Sequence, residues 1–334
     1  MKDMEESKRA GQTEQSRSIW SFFPVTFAAA LFCCLLWGSA TPAIKIAYEL
    51  FGIDPEETAS RIMLAGARFV IAGIMVILFG SLLRRQLLVP ARTSWKRIAL
   101  LCLFQTVGQY YFFFMALAHT TGVRGSIINA AGNFLTIVFA VYLFRMEKMT
   151  FRKLAGCLVG FAGIILILGG GAAFLTGPGI TPAGEGAMLT ADIFYALSGC
   201  CIKIFSKEED PVVLSGYQFF IGGIILFAIG LAMGGALHFA GADCVWNLLY
   251  MGFISAGAYT VWGILLKHNP VSRVSILGFM NPVLGVLLSA VFLGENREAF
   301  SLTGILALLL VSAGIVIVNL NGNAVKRQTS VKEY

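Results

Sequence analysis

Apolar segments follow one another along almost the whole chain, separated by short polar or glycine-rich stretches. Apolar helices of about 20 residues are long enough to cross the hydrocarbon core of a bilayer. The pattern predicts ten such helices, at residues 24–48, 60–83, 97–119, 121–144, 151–170, 184–205, 211–233, 244–266, 270–293 and 299–320. We therefore expect an all-α integral membrane protein with ten transmembrane helices.

Lysine and arginine are unevenly distributed among the polar stretches. Three stretches contain neither residue: GIDPEETAS at 52–60, GGGAAFLTGPGITPAGEG at 169–186 and GGALHFAGAD at 234–243. Most of the basic residues lie in the tails and the remaining loops, at Lys2, Lys8, Arg9, Arg17, Arg84, Arg85, Arg92, Lys96, Arg97, Arg145, Lys148, Arg152, Lys153, Lys203, Lys207, Lys267, Arg273, Lys326, Arg327 and Lys332. Because cytoplasmic loops carry the excess of lysine and arginine, both termini are predicted to be cytoplasmic. The net charge of +7 then indicates topology and not a nucleic-acid surface.

The composition also indicates a membrane protein. The chain is 57% apolar and 13% charged, whereas soluble domains are about 45–50% apolar and about 25% charged. The seven cysteines form no C-x-x-C pair and have no histidine at ligand spacing, so we interpret them as small hydrophobic residues. We therefore expect no disulfide framework, metal site or cofactor. Residues 1–20 are predicted to be a disordered cytoplasmic tail and residues 321–334 a second cytoplasmic tail. The first apolar segment is too long for a cleaved signal peptide.

The two halves of the chain resemble each other. NFLTIVFAVYLFRME at 133–147 and NPVLGVLLSAVFLGE at 281–295 have the same length and the same first and last residues. GQYYFFFMALAHTTGVRGS at 108–126 likewise matches GAYTVWGILLKHNPVSRVS at 257–275. Further positions pair in the same order: Trp37 with Tyr195, Lys45 with Lys203, Arg68 with Gln218 and Gly156 with Gly304. The similarity predicts two five-helix repeats, at 21–170 and 184–320.

Five is an odd number, so the second repeat enters the membrane from the opposite side. Inverted repeats of this kind alternate access to a site near the middle of the membrane. Glu147 and Glu295 each end a predicted span at a membrane surface. There a carboxylate caps a helix or steers the connection to the next one.

Several segments together resemble one known family. WGSATPAIK at 37–45, ARF at 67–69, ALAHTTGVRGSIIN at 116–129 and the two connections after Glu147 and Glu295 are similar to the EamA-type drug/metabolite transporter family. The resemblance covers about residues 24–320 and implies a duplicated ten-helix transporter that exports small metabolites or amino acids. One departure concerns the fourth helix, where the family usually has a proline like Pro282 of the ninth. Residues 132–134 are Gly-Asn-Phe, so the first repeat is expected to bend less or to bend at glycine.

Polar and aromatic side chains recur at helical spacing on several of the predicted helices. In the fourth helix, Ser126, Asn129, Asn133 and Thr136 fall at steps of three and four residues. We interpret such residues as lining a cavity between the helices, and the candidates are Trp37, Thr41, Gln105, Gln109, Tyr110, Asn129, Asn133, Tyr195, Gln218, Tyr259, Trp262 and Asn281. Alternatively, they form hydrogen bonds between packed helices. The fifth and tenth helices have almost no polar stripe, so we expect them at the periphery and the other eight around the cavity.

Three ionisable residues lie within predicted spans, where charges are costly and often functional. Lys45 lies near one membrane face, where it alternatively extends its amine to the headgroups. Arg68 lies deep enough to need a partner. Asp192 has three interpretations: a proton carrier, a counter-ion to Arg68 or Lys45, or a first-turn residue favoured by the helix dipole.

A secondary-active transporter of the cell membrane is the function that these features favour. A cavity rich in tryptophan and tyrosine suits amino acids, aromatic metabolites or organic cations, with protons as a candidate coupling ion. A gradient-driven facilitator or uptake carrier is an alternative, and a non-transporting scaffold or sensor a further one. An enzyme is not indicated, because the chain has no nucleophile with its base and no phosphate-binding loop. Nothing in the sequence indicates nucleic acid or an obligate protein partner.

Overall fold

The computed structural model describes residues 19–54, 56–146, 148–167, 181–269, 274, 277–278 and 280–319. Within these ranges the chain is helical and contains no strand. The long helices are α1 Phe23–Leu50, α2 Thr58–Arg84, α3 Ser94–His119, α4 Gly122–Leu143, α5 Phe151–Ile167, α6 Pro182–Phe205, α7 Pro211–Ala232, α8 Ala242–His268, α9 Met280–Leu293 and α10 Leu302–Asn319. A short helix, Asn296–Ala299, precedes α10.

Seven helices of the described ranges, α1 to α4 and α6 to α8, are long and apolar enough to cross a membrane. This confirms the prediction of an all-helical, multi-pass membrane protein. The helix α3 begins three residues earlier than predicted, at Ser94, and α10 begins three residues later, at Leu302. The predicted tails 1–20 and 321–334 lie outside the described residues except for 19 and 20, and so does Glu147.

Glycines allow α2 and α7 to pack backbone against backbone. A Cβ on Gly73 would lie 2.4 Å from the backbone nitrogen of Phe220, and a Cβ on Gly223 would lie 2.4 Å from that of Val70. Such distances leave no room for a side chain, and small residues at helix contacts are typical of membrane proteins. A Cβ on Gly222 would lie 2.5 Å from Cβ of Thr106 in α3. Gly73, Gly222 and Gly223 are therefore close-packing positions.

The helices α5 and α10 form a pair at the side of the bundle. A Cβ on Gly163 of α5 would lie 2.7 Å from the backbone oxygen of Ala307. A Cβ on Gly314 of α10 would lie equally close to the backbone of Gly156 and Gly160. The opposite faces of both helices are exposed, with Leu158 and Leu309 about 60% accessible. These exposed apolar faces suit contact with lipid.

The remaining helices surround the centre of the bundle. On one side α1 packs against α8 and α9, and on the other α6 packs against α3 and α4. The helix α4 is interrupted where it passes the centre, and α9 begins at the equivalent place in the second half. At both places a backbone nitrogen donates to the carbonyl oxygen three residues earlier, as in a 3₁₀ turn. These hydrogen bonds run from Asn133 N to Ala130 O at 3.2 Å and from Asn281 N to Gly278 O at 3.0 Å.

The interruption of α4 needs no proline. It lies at Asn129 and Ala130, just before Gly132, whereas Pro282 lies in the first turn of α9 and lacks a backbone donor. The interruption of α4 thus lies beside the glycine, whose backbone nitrogen donates to Asn129 O at 3.4 Å. A second irregularity is the π-helical stretch Cys102–Gln109 within α3. Stretches of this type widen the helix and change which side chains share a face.

Candidate functional site

A cavity of about 80 Å³ lies among the central helices. Residues of α1 to α4 form one part of its lining: Trp37, Gly38, Ala40, Thr41, Arg68, Gln109, Tyr110, Phe113, Ser126, Asn129, Ala130 and Asn133. The second half of the chain contributes Tyr195 of α6, Tyr259 and Trp262 of α8, Gly278 just before α9, and Asn281, Pro282 and Gly285 of α9. The cavity has room for a few water molecules. Pockets that enclose drug-sized ligands usually measure about 300–1,000 Å³.

Aromatic rings form one wall of the cavity. The ring of Trp37 meets Tyr259 edge-on at 5.3 Å and Trp262 at 5.0 Å between centroids. The hydroxyls of Tyr110 and Tyr259 are hydrogen-bonded at 3.0 Å, and Phe219 packs against Tyr259 from behind. Because each ring contacts a neighbour, the wall is held in one arrangement.

Asparagine side chains supply amide groups to the cavity from two helices. Asn129 and Asn133 lie on α4, and Asn281 lies on α9. The spacing of four residues brings the two α4 asparagines to the same face, and the interruption of the helix lies between them. With Tyr195 and Thr41, these side chains give the cavity both hydrogen-bond donors and acceptors.

Gln105 and Gln218 are outside the cavity lining, contrary to the expectation from the sequence. Gln218 Nε2 donates to Gln105 Oε1 at 2.6 Å, and Thr106 Oγ1 donates to Gln218 Oε1 at 2.8 Å. The amides satisfy each other between α3 and α7, which is the alternative role of polar residues in a helical bundle. As a result, seven helices and not eight contribute described residues to the lining, since α7 contributes none.

Arg68 is buried beside the cavity, with 1% of its surface exposed. Its Nε donates to the backbone oxygen of Met251 at 3.1 Å, and its Nη2 donates to Ser255 Oγ at 3.0 Å. Nη1 has no hydrogen-bond partner among the described residues. The partner that the sequence led us to expect for Arg68 is therefore a neutral pair of groups on α8.

Asp192 is also buried, with 1% exposure, but it does not line the cavity. Its two carboxylate oxygens have no hydrogen-bond partner within the described part of the chain and lie against Gly132, where a Cβ would be 3.0 Å from Oδ1. No ion pair joins it to Arg68 or to Lys45, whose Nζ donates to the backbone oxygen of Thr120 at 2.6 Å. A first-turn position is also ruled out, because α6 begins ten residues earlier, at Pro182.

Polar contacts connect several helix ends on one side of the bundle. Glu295 accepts hydrogen bonds from the backbone nitrogens of Gly122 at 2.8 Å and Val123 at 2.7 Å. Its carboxylate thus caps the start of α4, in the other half of the chain, where the helix dipole favours a negative charge. Close by, Glu185 is 3.2 Å from Arg124 and accepts from Thr181 Oγ1 at 2.8 Å. We call Lys45, Thr120, Arg124, Glu185 and Glu295 the end cluster.

Comparison with known proteins identifies the family. The model of the EamA-like transporter family matches residues 25–169 and again residues 182–320. The chain belongs to this family. The match confirms the resemblance drawn from the sequence motifs.

Sequence similarity to known relatives extends over most of the chain. A protein of Salmonella typhimurium named "Probable amino-acid metabolite efflux pump" is 28% identical over 90% of this chain and 97% of its own length. A WAT1-related chloroplastic protein of Arabidopsis thaliana is 26% identical over 80% of this chain, which covers 64% of that relative. One crystal structure has the same fold, with a TM-score of 0.62 and 19% identity over 90% of this chain and 99% of the other.

Sequence reasoning missed Glu185 as a polar residue of the bundle. Glu185 is a buried carboxylate within a Pro-Ala-Gly-Glu-Gly segment, whereas Ser255, which belongs to the polar stripe of α8 in the sequence, holds Arg68. The signal for Glu185 was a single acidic residue in a loop of glycine and small residues. Among the described residues, no group of three histidine, cysteine or acidic side chains is arranged to hold a metal ion.

Proposed function

We propose that the chain is a secondary-active transporter that exports small metabolites, amino acids among them, by alternating access. The observation that carries the proposal is a central cavity lined by polar and aromatic residues from both segments that match the family model. The name of the Salmonella typhimurium relative, "Probable amino-acid metabolite efflux pump", supports this substrate class and the outward direction.

An inverted repeat is supported by contacts that occur in equivalent pairs. Where α1 of the first repeat packs against α8 and α9, α6 of the second packs against α3 and α4. The interruption of α4 and the start of α9 fall at equivalent positions, because Asn133 and Asn281 begin the two matching segments and each donates from its backbone nitrogen to the carbonyl oxygen three residues earlier. Helices α2 and α7 pack against each other, as do α5 and α10. Ten helices in two oppositely oriented repeats account for all of these pairs.

The end that holds the basic loops is proposed to face the cytoplasm. Arg84 pairs with Asp210, and Arg97 pairs with Glu208 and Glu209. These ion pairs support placing the loops after α2 and α6 at the same end, as the alternation of basic residues requires. Both termini are then cytoplasmic and the protein lies in the cell membrane.

The end cluster is proposed to close the cavity on the external side. The cavity of about 80 Å³ is too small for a metabolite, so a substrate enters or leaves only when the helices around it separate. Glu295 holds the start of α4 from the other half of the chain. Separating the halves there breaks two charge-assisted hydrogen bonds, which gives the closed arrangement a defined stability.

Coupling to protons is proposed to depend on Asp192. It is a buried carboxylate within a span and has no hydrogen-bond partner among the described residues. Such a group is costly to keep charged in a membrane, and carboxylates within spans often belong to proton or ion pathways. This observation favours a coupled carrier over a passive facilitator.

Flux through purified protein tests the proposed function. Proteoliposomes with the full chain are loaded with a mixture of amino acids and small metabolites, and release is followed by mass spectrometry. Comparing culture medium from cells with and without the gene then identifies what is exported.

Two matched variants complete this test. Asn129→Trp fills the cavity, and Leu158→Trp places the same side chain on the lipid-facing side of α5. We expect release from the wild type and from Leu158→Trp, and none from Asn129→Trp. Equal release with protein-free vesicles would contradict a transporter, and full release by Asn129→Trp would contradict the assigned cavity.

A further inference from the structure

Arg68 is a buried cation whose charge no carboxylate of the described chain neutralises. One edge of its guanidinium is held by α8, through Met251 and Ser255. The other terminal nitrogen, Nη1, has no hydrogen-bond partner among the described residues, and Arg68 contributes to the cavity lining. Guanidinium groups have five N–H donors, so several remain available for a ligand.

The surroundings of Arg68 compensate its charge only in part. Its guanidinium carbon is 5.2 Å from the ring centre of Phe69, 5.5 Å from Tyr110 and 5.9 Å from Phe114. Ring faces attract a cation, but they do not accept hydrogen bonds in the way an anion does. A buried charge with incomplete partners is destabilising and calls for an explanation beyond folding.

The other half of the chain shows that packing at this place needs no charge. Gln218 is the counterpart of Arg68 in the sequence repeat, and Thr106 is the counterpart of Ser255. Arg68 Nη2 donates to Ser255 Oγ at 3.0 Å, and Gln218 Oε1 accepts from Thr106 Oγ1 at 2.8 Å. A neutral amide therefore joins α7 to α3 through the equivalent hydroxyl, with donor and acceptor exchanged, where arginine joins α2 to α8. The positive charge is present only in the half where the side chain borders the cavity.

We propose that Arg68 binds a carboxylate group of the substrate, and that the substrate is a small molecule with one carboxylate and an apolar or aromatic part. This inference rests on the proposed transport function. A second donor of the cavity, Trp37 Nε1, also has no hydrogen-bond partner in the described part of the chain and is available to the same ligand. The aromatic wall suits the apolar part, and a single arginine matches a single carboxylate better than a phosphate. Organic cations without a carboxylate are disfavoured, since Arg68 repels them.

Binding to the purified full-length protein tests the charge requirement without any mutation. Thermal unfolding in detergent is measured with L-phenylalanine, 3-phenylpropanoate, L-leucine and L-phenylalaninamide at matched concentrations. We expect stabilisation by the carboxylates and an apparent affinity about 10- to 100-fold lower for the amide, as loss of a charged hydrogen-bond partner predicts. Equal affinity for the amide, or no stabilisation by any carboxylate, would overturn the proposal.

Variants at two buried arginines of α2 separate charge recognition from folding. Arg68→Gln introduces the residue that the other repeat uses at this place, and Arg68→Lys retains the charge. Arg61→Gln is the control, because Arg61 is equally buried but bonds Thr58 and His119 away from the cavity. We expect Arg68→Gln to lose the preference for acid over amide, Arg68→Lys to retain part of it and Arg61→Gln to retain it fully. An unchanged preference in Arg68→Gln would show that the charge is not used.

Release from proteoliposomes distinguishes the two proposals. Vesicles are loaded with amino acids together with their amides, and both classes are followed in one experiment. Release of the acids alone supports the carboxylate site. Release of the amides at the same rate leaves a transporter in place but rejects the role of Arg68. If neither class is released, the transport function for amino acids fails, and the unfolding experiment decides the binding role separately.

Discussion

The hydroxyls of Tyr110 and Tyr259 lie 3.0 Å apart and join α3 to α8 across the cavity. The two tyrosines occupy equivalent positions in the matching segments 108–126 and 257–275. Equivalent residues of a two-fold repeat meet each other only near the symmetry axis. Their contact therefore places the cavity close to the proposed axis between the repeats.

Removing either hydroxyl should break the same hydrogen bond. We expect Tyr110→Phe and Tyr259→Phe each to lower the free energy of unfolding by about 1 kcal/mol, and the double variant to lose little more than either single one. Thermal unfolding of the purified variants checks this by a double-mutant cycle. Tyr142→Phe, on the exposed side of α4, is the control and should change nothing. Additive losses would mean that the hydroxyls act independently.

Two cavity variants should impair transport without impairing folding. Asn133→Leu removes hydrogen-bonding capacity from α4, and Trp262→Ala removes a ring from the aromatic wall, so each should reduce flux about tenfold or more. Both replacements are apolar and suit a membrane protein, so insertion and elution as a single species should be unchanged. Flux in proteoliposomes measures the effect. Wild-type rates in both variants would indicate that these side chains serve only helix packing.

Much of the cavity could be predicted because α4 keeps right-handed helical backbone angles through its interruption at Asn129 and Ala130. Residues four apart share a face of an α-helix with 3.6 residues per turn, and Asn129 and Asn133 follow this rule. The same rule fails for Gln105 and Gln109 of α3, which also differ by four. The chain between them is π-helical, so the wider turn directs Gln109 to the cavity and Gln105 to α7.

Side-chain pairing across helices was the second feature that spacing could not predict. Gln218 lies outside the cavity because Gln105 and Thr106 satisfy its amide. Those partners are distant in sequence. Several other polar residues on neighbouring helices could equally have been its partners, so the sequence does not predict this pairing. In contrast, the duplication and the alternation of basic loops extend over the whole chain. They therefore indicated the family and the pattern of membrane spans without knowledge of any contact between helices.

The topology prediction is checked by labelling in cells. Single cysteines introduced within residues 50–58 and 234–243 should react with a membrane-impermeant thiol reagent added outside, because these loops lack lysine and arginine. The native cysteines of the described chain are buried and should react little. Residues 172–184 should also be external, although most of that segment lies outside the described residues. Labelling of a cysteine at the C-terminus would reject the inverted repeat.

Weakening the cap on α4 should favour opening on the external side. Glu295→Ala removes the acceptor for two backbone nitrogens, and loss of a helix cap costs about 0.5–2 kcal/mol. We therefore expect a Ser126→Cys reporter in the cavity to react faster with an external thiol reagent when Glu295 is replaced. Glu56→Ala is the control, since Glu56 is an exposed carboxylate at the same end. Equal labelling rates in the two backgrounds would reject a closing role for Glu295.

Replacing Asp192 by asparagine should separate substrate movement from the proton gradient. The carboxylate has no hydrogen-bond partner among the described residues and packs against the backbone of Gly132, so a neutral side chain of the same shape should be tolerated. A group that carries a proton must alternate between charged and neutral forms, which asparagine cannot do. We expect Asp192→Asn to retain exchange of substrate across vesicles and to lose accumulation driven by a pH gradient. Asp243→Asn, at an exposed position at the start of α8, should behave as the wild type. If Asp192→Asn still concentrates substrate at the wild-type rate, Asp192 is a structural residue and the driving force enters elsewhere.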